Sequence, residues 1–197
     1  IQLASQGSWS ARTWAVPPDT VSAGSSSVFV GDDLYVMRGL SDKAFWKYDS
    51  VLNEWIELED LPFPAYYGAS MTSNGNSLIY VIFGGYSKKF YQYDTATGDW
   101  TALPDLLDTT WTGASISFDG TNPYVLRGNA STDFWRYNVA LGEWQSLAPI
   151  SATASTGASL VYGQDGNFYT PRGANTLTFY RYNVATNTWS AQANITT

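Results

Sequence analysis

Strand-length apolar runs alternate with polar, glycine-bearing turns along this chain, and the alternation keeps one register over four copies. One run in each copy closes on a dipeptide ending in Gly: Arg38-Gly39, Gly84-Gly85, Arg127-Gly128 and Arg172-Gly173. The next run is aromatic, reading Phe45-Trp46-Lys47-Tyr48-Asp49, Phe90-Tyr91-Gln92-Tyr93-Asp94, Phe134-Trp135-Arg136-Tyr137-Asn138 and Phe179-Tyr180-Arg181-Tyr182-Asn183. Six residues past each closing Asp or Asn stands a Trp (Trp55, Trp100, Trp144, Trp189), so the period is 44 or 45 residues. Gly68-Ala69-Ser70, Gly113-Ala114-Ser115 and Gly157-Ala158-Ser159 each begin 13 residues after one of these tryptophans. Self-similarity at a fixed period of this length marks a repeat architecture.

Within a copy the pattern predicts four short strands. The first follows Gly-Ala-Ser, as in Ser159-Leu160-Val161-Tyr162, and leads into a turn carrying Asn74-Gly75, Asp119-Gly120 or Asp165-Gly166, with Gly31-Asp32 in the first copy. Such dipeptides supply the positive-φ residues of a tight hairpin. The second strand is the run that closes on the Gly dipeptide, and the third is the aromatic run. The fourth begins near the Trp and ends before Pro, as at Leu61-Pro62 and Leu103-Pro104, because proline cannot donate to a sheet ladder. The repeats cover about 24–67, 68–112, 113–156 and 157–197 of a single domain. The expected fold is all-β, four similar antiparallel four-stranded sheets with almost no helix. Trp14, ahead of Val16-Pro17 and Gly24-Ser25-Ser26, predicts one extra N-terminal strand, the outer strand of a preceding unit.

A hydrophobic strand closing in Gly-Gly, then Tyr-Asp, then Trp six residues on, resembles the kelch repeat, and the resemblance runs from about Trp14 to Trp189. WD40 repeats share the period, but their Gly-His and Trp-Asp signatures are absent. Three copies depart from the kelch pattern with Arg-Gly where Gly-Gly is usual. The resemblance implies a β-propeller of four-stranded blades around a central channel, a fold used mostly as a binding scaffold and in some cases by enzymes. Four complete blades and an unmatched N-terminal strand give the chain ends that are not complementary. The expectation is part of a larger ring, completed by further chain or by a partner. A closed four-blade ring and pairing of the extra strand with another molecule are the alternatives. The start at Ile1 rather than Met fits a processed protein or a fragment.

Composition narrows the function. Charged residues are only 14% and aromatics 16%, with nine Trp, so aromatic and β-branched packing outweighs surface ion pairs. Ten basic residues scattered among seventeen acidic ones give a net charge of −7. That excludes the clustered Lys and Arg needed to neutralise nucleic-acid phosphates. No apolar run approaches the roughly 18–20 residues of a membrane-spanning helix, so membrane insertion is not expected. The chain has no Cys and no His, which excludes disulfides, thiol chemistry, a His-based general base or triad, and a zinc site. No cofactor or metal is expected. Low Lys with abundant Ser, Thr, Tyr and Trp points to a secreted or cell-surface protein.

Candidate binding residues fall in two registers. Arg38, Arg127 and Arg172 recur at one position, where they would form a cationic cluster for a carboxylate or sulfate or pair with Asp or Asn of their own or a neighbouring blade, such as Asp49 or Asn138. Two residues before the Gly of each Gly-Ala-Ser stand Ser22, Tyr66, Trp111 and Ser155. Tyr66 and Trp111, with Tyr67 beside Tyr66, make an aromatic surface suited to stacking on a sugar or gripping a peptide. The loop carboxylates Asp32, Asp33, Asp42, Asp105, Asp108 and Asp133 are the material for a glycosidase pair, and solvated turn residues are the competing reading. Asn129 and Asn194 begin glycosylation sequons. The expected function is an extracellular binding or assembly module that meets a protein partner, or itself, through loops and propeller edges. A lectin-like domain is the alternative, and a glycan-processing enzyme comes third.

Overall fold

A computed structural model describes residues 15–195. They form sixteen strands in four antiparallel sheets and no helix. The first sheet holds β1 (Ser26–Val30), β2 (Asp33–Met37), β3 (Phe45–Asp49) and β4 (Glu54–Glu57). The second holds β5 (Ala69–Ser73), β6 (Leu78–Phe83), β7 (Phe90–Asp94) and β8 (Asp99–Leu103). The third holds β9 (Ser115–Phe118), β10 (Pro123–Leu126), β11 (Phe134–Asn138) and β12 (Glu143–Ser146). The fourth holds β13 (Val161–Tyr162), β14 (Asn167–Pro171), β15 (Phe179–Asn183) and β16 (Thr188–Ala191). Each sheet is a meander in chain order. β1 lies against β5, β5 against β9 and β9 against β13, so the first strand of each sheet is its inner strand. The sheets are four blades of a β-propeller. The strand expected around Trp14 lies outside the described residues.

The repeated motifs are the parts of a repeated seam. In β3, β7, β11 and β15 alternate side chains point to opposite blade faces. The leading Phe therefore faces the next blade, and the Tyr three residues on faces the previous one. Phe45 packs between Tyr93 and Trp100 of the second blade, with ring centroids at 5.1 and 5.3 Å. Phe90 does the same between Tyr137 and Trp144, at 5.1 and 4.8 Å, and Phe134 between Tyr182 and Trp189, at 4.7 and 4.9 Å. Tyr and Trp are direct cross-strand partners, as in Tyr93↔Trp100. These three phenylalanines are fully buried, whereas the tryptophans are only half-buried. Each Trp indole N–H donates to a loop carbonyl about 40 residues earlier: Trp55 to Ala15, Trp100 to Glu59, Trp144 to Pro104 and Trp189 to Ala148.

Inner strands are joined by side chains. The Ser26, Ser70 and Ser115 hydroxyls accept the N–H groups of Met71, Ile116 and Leu160 in the following blade. The Asp or Asn six residues before Trp caps the turn between the third and fourth strands: the Asp49 carboxylate accepts from the Val51 and Leu52 N–H groups. The inner turn of the first blade is the expected tight hairpin, two residues (Gly31-Asp32) between the paired Val30 and Asp33, whereas the turns of the other three blades are longer. Gly31, Gly75, Gly120 and Gly166 take positive φ, as does Gln164 in the fourth blade, and in the second blade Asn74 Oδ1 organises the longer loop by accepting from Asn76, Ser77 and Leu78.

Candidate functional site

Successive turns of a meander alternate between the two ends of its strands. The loops between second and third strands therefore share one face of the propeller with the loops between blades. The turns after the first and third strands lie on the opposite face. Tyr66 and Tyr67, between blades one and two, and Trp111, between blades two and three, fall on the loop face.

The structure brings these residues together and adds Tyr86, from the β6–β7 loop, which the sequence reading missed. Tyr86 stacks on Trp111 with centroids 4.4 Å apart and planes at 8°, and Tyr67 packs against the same indole at 5.5 Å. Tyr66 lies across Gly85, where an added Cβ would sit 2.8 Å from its ring. Tyr66, Tyr67 and Tyr86 are 40%, 52% and 58% exposed, so large apolar surface is presented to solvent at one place. Tyr86 has φ 60°, a conformation shared by Ser41, Ala130 and Asn175 in the other blades. The loop architecture, rather than a local distortion, aims its ring. Large aromatics stand in these loops only in the second blade and at its seams with the first and third, so the cluster is confined to one side of the loop face. Ser22 and Ser155 hold the places of Tyr66 and Trp111 at the other seams.

Charged residues share the loops that carry the rings. Lys89 pairs with Asp105 at 2.9 Å, and Lys88 lies 3.9 Å from Asp108. Arg127 is held between Asp108 and Asp133 at 2.7 and 2.8 Å, and its Nε donates to the Thr109 carbonyl. Arg38 repeats this arrangement with Asp19, Asp42 and the Thr20 carbonyl. Both arginines thus tie the loop before their blade to the β2–β3 or β10–β11 loop. Their partners are not Asp49 or Asn138, which sit at the far end of the third strand as turn caps. Arg172 has Ala152 in the register of Asp19 and Asp108, and Thr176 and Thr178 in the registers of Asp42 and Asp133, and its Nε donates to the Thr176 hydroxyl at 3.4 Å.

Most of the loop carboxylates are drawn into ion pairs. Asp32 and Asp33 lie on the opposite face, and Asp33 is bonded to Lys47. Asp42, Asp105, Asp108 and Asp133 are each ion-paired. Burial pushes the Asp133 carboxyl up, but hydrogen bonds from Arg127 and Ser131 and the Arg127 charge outweigh it and hold the group below the usual range. A general acid needs the reverse shift. Among the described residues no cluster of acidic side chains could hold a metal ion.

Asn129 is half-buried in the β10–β11 loop at φ 54°, and Asn194 is exposed near the end of the described chain. On the opposite face a depression of about 410 Å3 lies over the inner turns of the last three blades, lined by Asn74, Phe118, Asp119, Tyr162 and Gln164.

No family model matches the chain, and no curated protein sequence matches it. Among solved structures, the one titled "Structure of YjhT" is similar, with a TM-score of 0.73 at 14% identity, covering 91% of this chain and 67% of that one. At that identity the likeness speaks for the propeller fold alone.

Proposed function

We propose that this chain is a kelch-type binding module that meets a protein partner on its loop face, with Tyr67, Tyr86 and Trp111 as the anchor, working outside the cell or at its surface. The reading rests on one observation, the Tyr86–Trp111 stack with Tyr66 and Tyr67 exposed beside it. Binding energy at protein interfaces concentrates in central Tyr and Trp residues ringed by polar groups, and Lys88, Lys89, Asp105 and Asp108 share the loops that carry Tyr86 and Trp111. The rings cost little to order, because loop backbone and neighbouring rings already hold them. Carboxylates tied into ion pairs favour binding over acid–base catalysis.

A lectin-like role is the second reading, favoured by the flat Tyr86–Trp111 platform, since a sugar ring stacks on an aromatic face. One comparison tests both: a displayed random-peptide library and a glycan array, each probed with the native chain and with Tyr67→Ser and Tyr86→Ser. Peptides enriched by the native chain and lost with both variants support the protein partner. Glycan signals lost in the same way support the lectin. Binding that survives both substitutions overturns the loop-face site.

A further inference from the structure

The three seams inside the chain share three devices, and each device has one half left over at each end of the arc. In blades one to three the face toward the next blade is buried, by Tyr35, Met37 and Phe45, then Tyr80, Ile82 and Phe90, then Tyr124, Leu126 and Phe134. The matching residues of the fourth blade, Tyr169, Pro171 and Phe179, are only half-buried. At the other end, Leu34 holds the register of the fully buried Ile79 and Phe168 yet is half-exposed. It lines a groove of about 320 Å3 with Pro17, Val21, Val36 and Trp55. Trp55 holds the register of Trp100, Trp144 and Trp189, the indoles against which a Phe of the previous blade packs.

The other two devices are divided the same way. Ser26, Ser70 and Ser115 accept a backbone N–H from the next blade, and Ser159, their equivalent, is exposed. Gly24, Gly68 and Gly113 press against the carbonyls of Tyr66, Trp111 and Ser155 so closely that a Cβ would overlap them. Gly157, next in the series, meets nothing nearer than Gly173 at 3.8 Å, and Ser22 carries the carbonyl that a preceding glycine would meet. No hydrophobic cluster among the described residues joins the first and fourth blades.

We infer that these two faces are the halves of one more seam, made between two copies of this chain: Phe179 of one copy enters the Leu34–Val36–Trp55 groove of the next. Ser159 receives the N–H of Ser27, and Gly157 abuts the Ser22 carbonyl. The occupant is a second copy because the fourth blade already carries all three donor halves in the register used at each internal seam, and the first blade carries the acceptor halves. The contact is heterologous, head to tail, and builds a ring or an open assembly according to whether its rotation closes. It uses blade edges and leaves the loop-face aromatics free, so it stands or falls apart from the proposed binding role.

Light scattering coupled to size exclusion, over a concentration series of the 197-residue chain, is the test. Phe179→Asp blocks the tail and Leu34→Asp blocks the head; both side chains are half-exposed, and circular dichroism checks that each variant is folded. The native chain should grow in mass with concentration. Each variant alone should remain monomeric. Mixed in equal amounts, the two should form a one-to-one dimer, because the intact head of one meets the intact tail of the other. A native chain that is monomeric throughout the series overturns the proposal, and covering of the groove by its own residues 1–14 would give that result. Variants that associate alone as the native chain does overturn it as well.

Discussion

Phe90 meets Trp144 nearly edge to face across the seam between the second and third blades, with ring centroids 4.8 Å apart and planes at 62°. The contact joins the first residue of one aromatic run to the Trp of the next repeat. Phe90→Ala empties a fully buried site and should cost about 3–5 kcal/mol. Phe179→Ala, at the same register but half-buried, should cost about 1 kcal/mol at concentrations where the chain is monomeric. Urea unfolding of the two variants checks this, and equal losses would show that the last blade is covered like the others.

Gly68 combines φ +82° with a backbone carbonyl of Trp111 where its Cβ would lie, whereas Gly75, at φ +79°, faces open space. Gly75→Ala should cost only the left-handed penalty of about 1–2 kcal/mol. Gly68→Ala should cost clearly more and shift the Trp111 loop. Thermal melts of the pair decide it: similar losses would mean that the blades do not approach at this carbonyl.

The depressed Asp133 carboxyl gives a pH signature. A carboxyl with a lowered folded pKa stabilises the fold above its unfolded pKa of about 3.9 and loses that contribution as pH falls through the folded value. Asp133→Asn should therefore be less stable than the native chain at pH 7, with the gap closing as the pH drops below about 4. A gap that is constant from pH 7 to pH 2 would mean that the Arg127–Asp133 pair contributes nothing.

Alkali should act on the seams. Burial raises the phenols of Tyr35, Tyr80, Tyr93, Tyr124 and Tyr137, and pushes Tyr182 up to about 12. Their stabilising contribution is complete below the unfolded phenol pKa of about 10 and is lost as pH rises through the folded values. Unfolding should set in above about pH 10, with phenolate absorbance from these tyrosines appearing together with loss of the near-ultraviolet dichroism. Ionisation of all of them with the dichroism intact would contradict their burial.

The repeat, the four sheets and the aromatic seam are legible in the sequence because each rests on a residue that must recur for packing. The Arg-Gly motif is less so. Pairing Arg38-Gly39 with Gly84-Gly85 misplaces the register by one residue. The Tyr66 N–H donates to Phe83, as Ser155 does to Arg172 and Ser22 to Arg38, so Phe83 takes the arginine's place. Gly85 then corresponds to Leu40, Asn129 and Ala174, all at positive φ. A non-glycine residue held left-handed by its loop leaves no mark in the sequence. Tyr86 escaped for a related reason: its register holds Ser41, Ala130 and Asn175 elsewhere, so periodicity gave it no weight, and only its place after Gly-Gly set it apart. Tyr66, Tyr67 and Trp111 were found because two of them stand at a fixed distance from Gly-Ala-Ser.

The loop-face site is tested most directly by hydrogen exchange on the chain alone and with a peptide enriched from the displayed library. Protection on binding is expected at the backbone amides of 66–68, 85–87 and 111–113, the three segments that carry the stacked rings. Protection confined to the opposite face, at 74–77 and 119–122, with those three segments unchanged, would contradict the account.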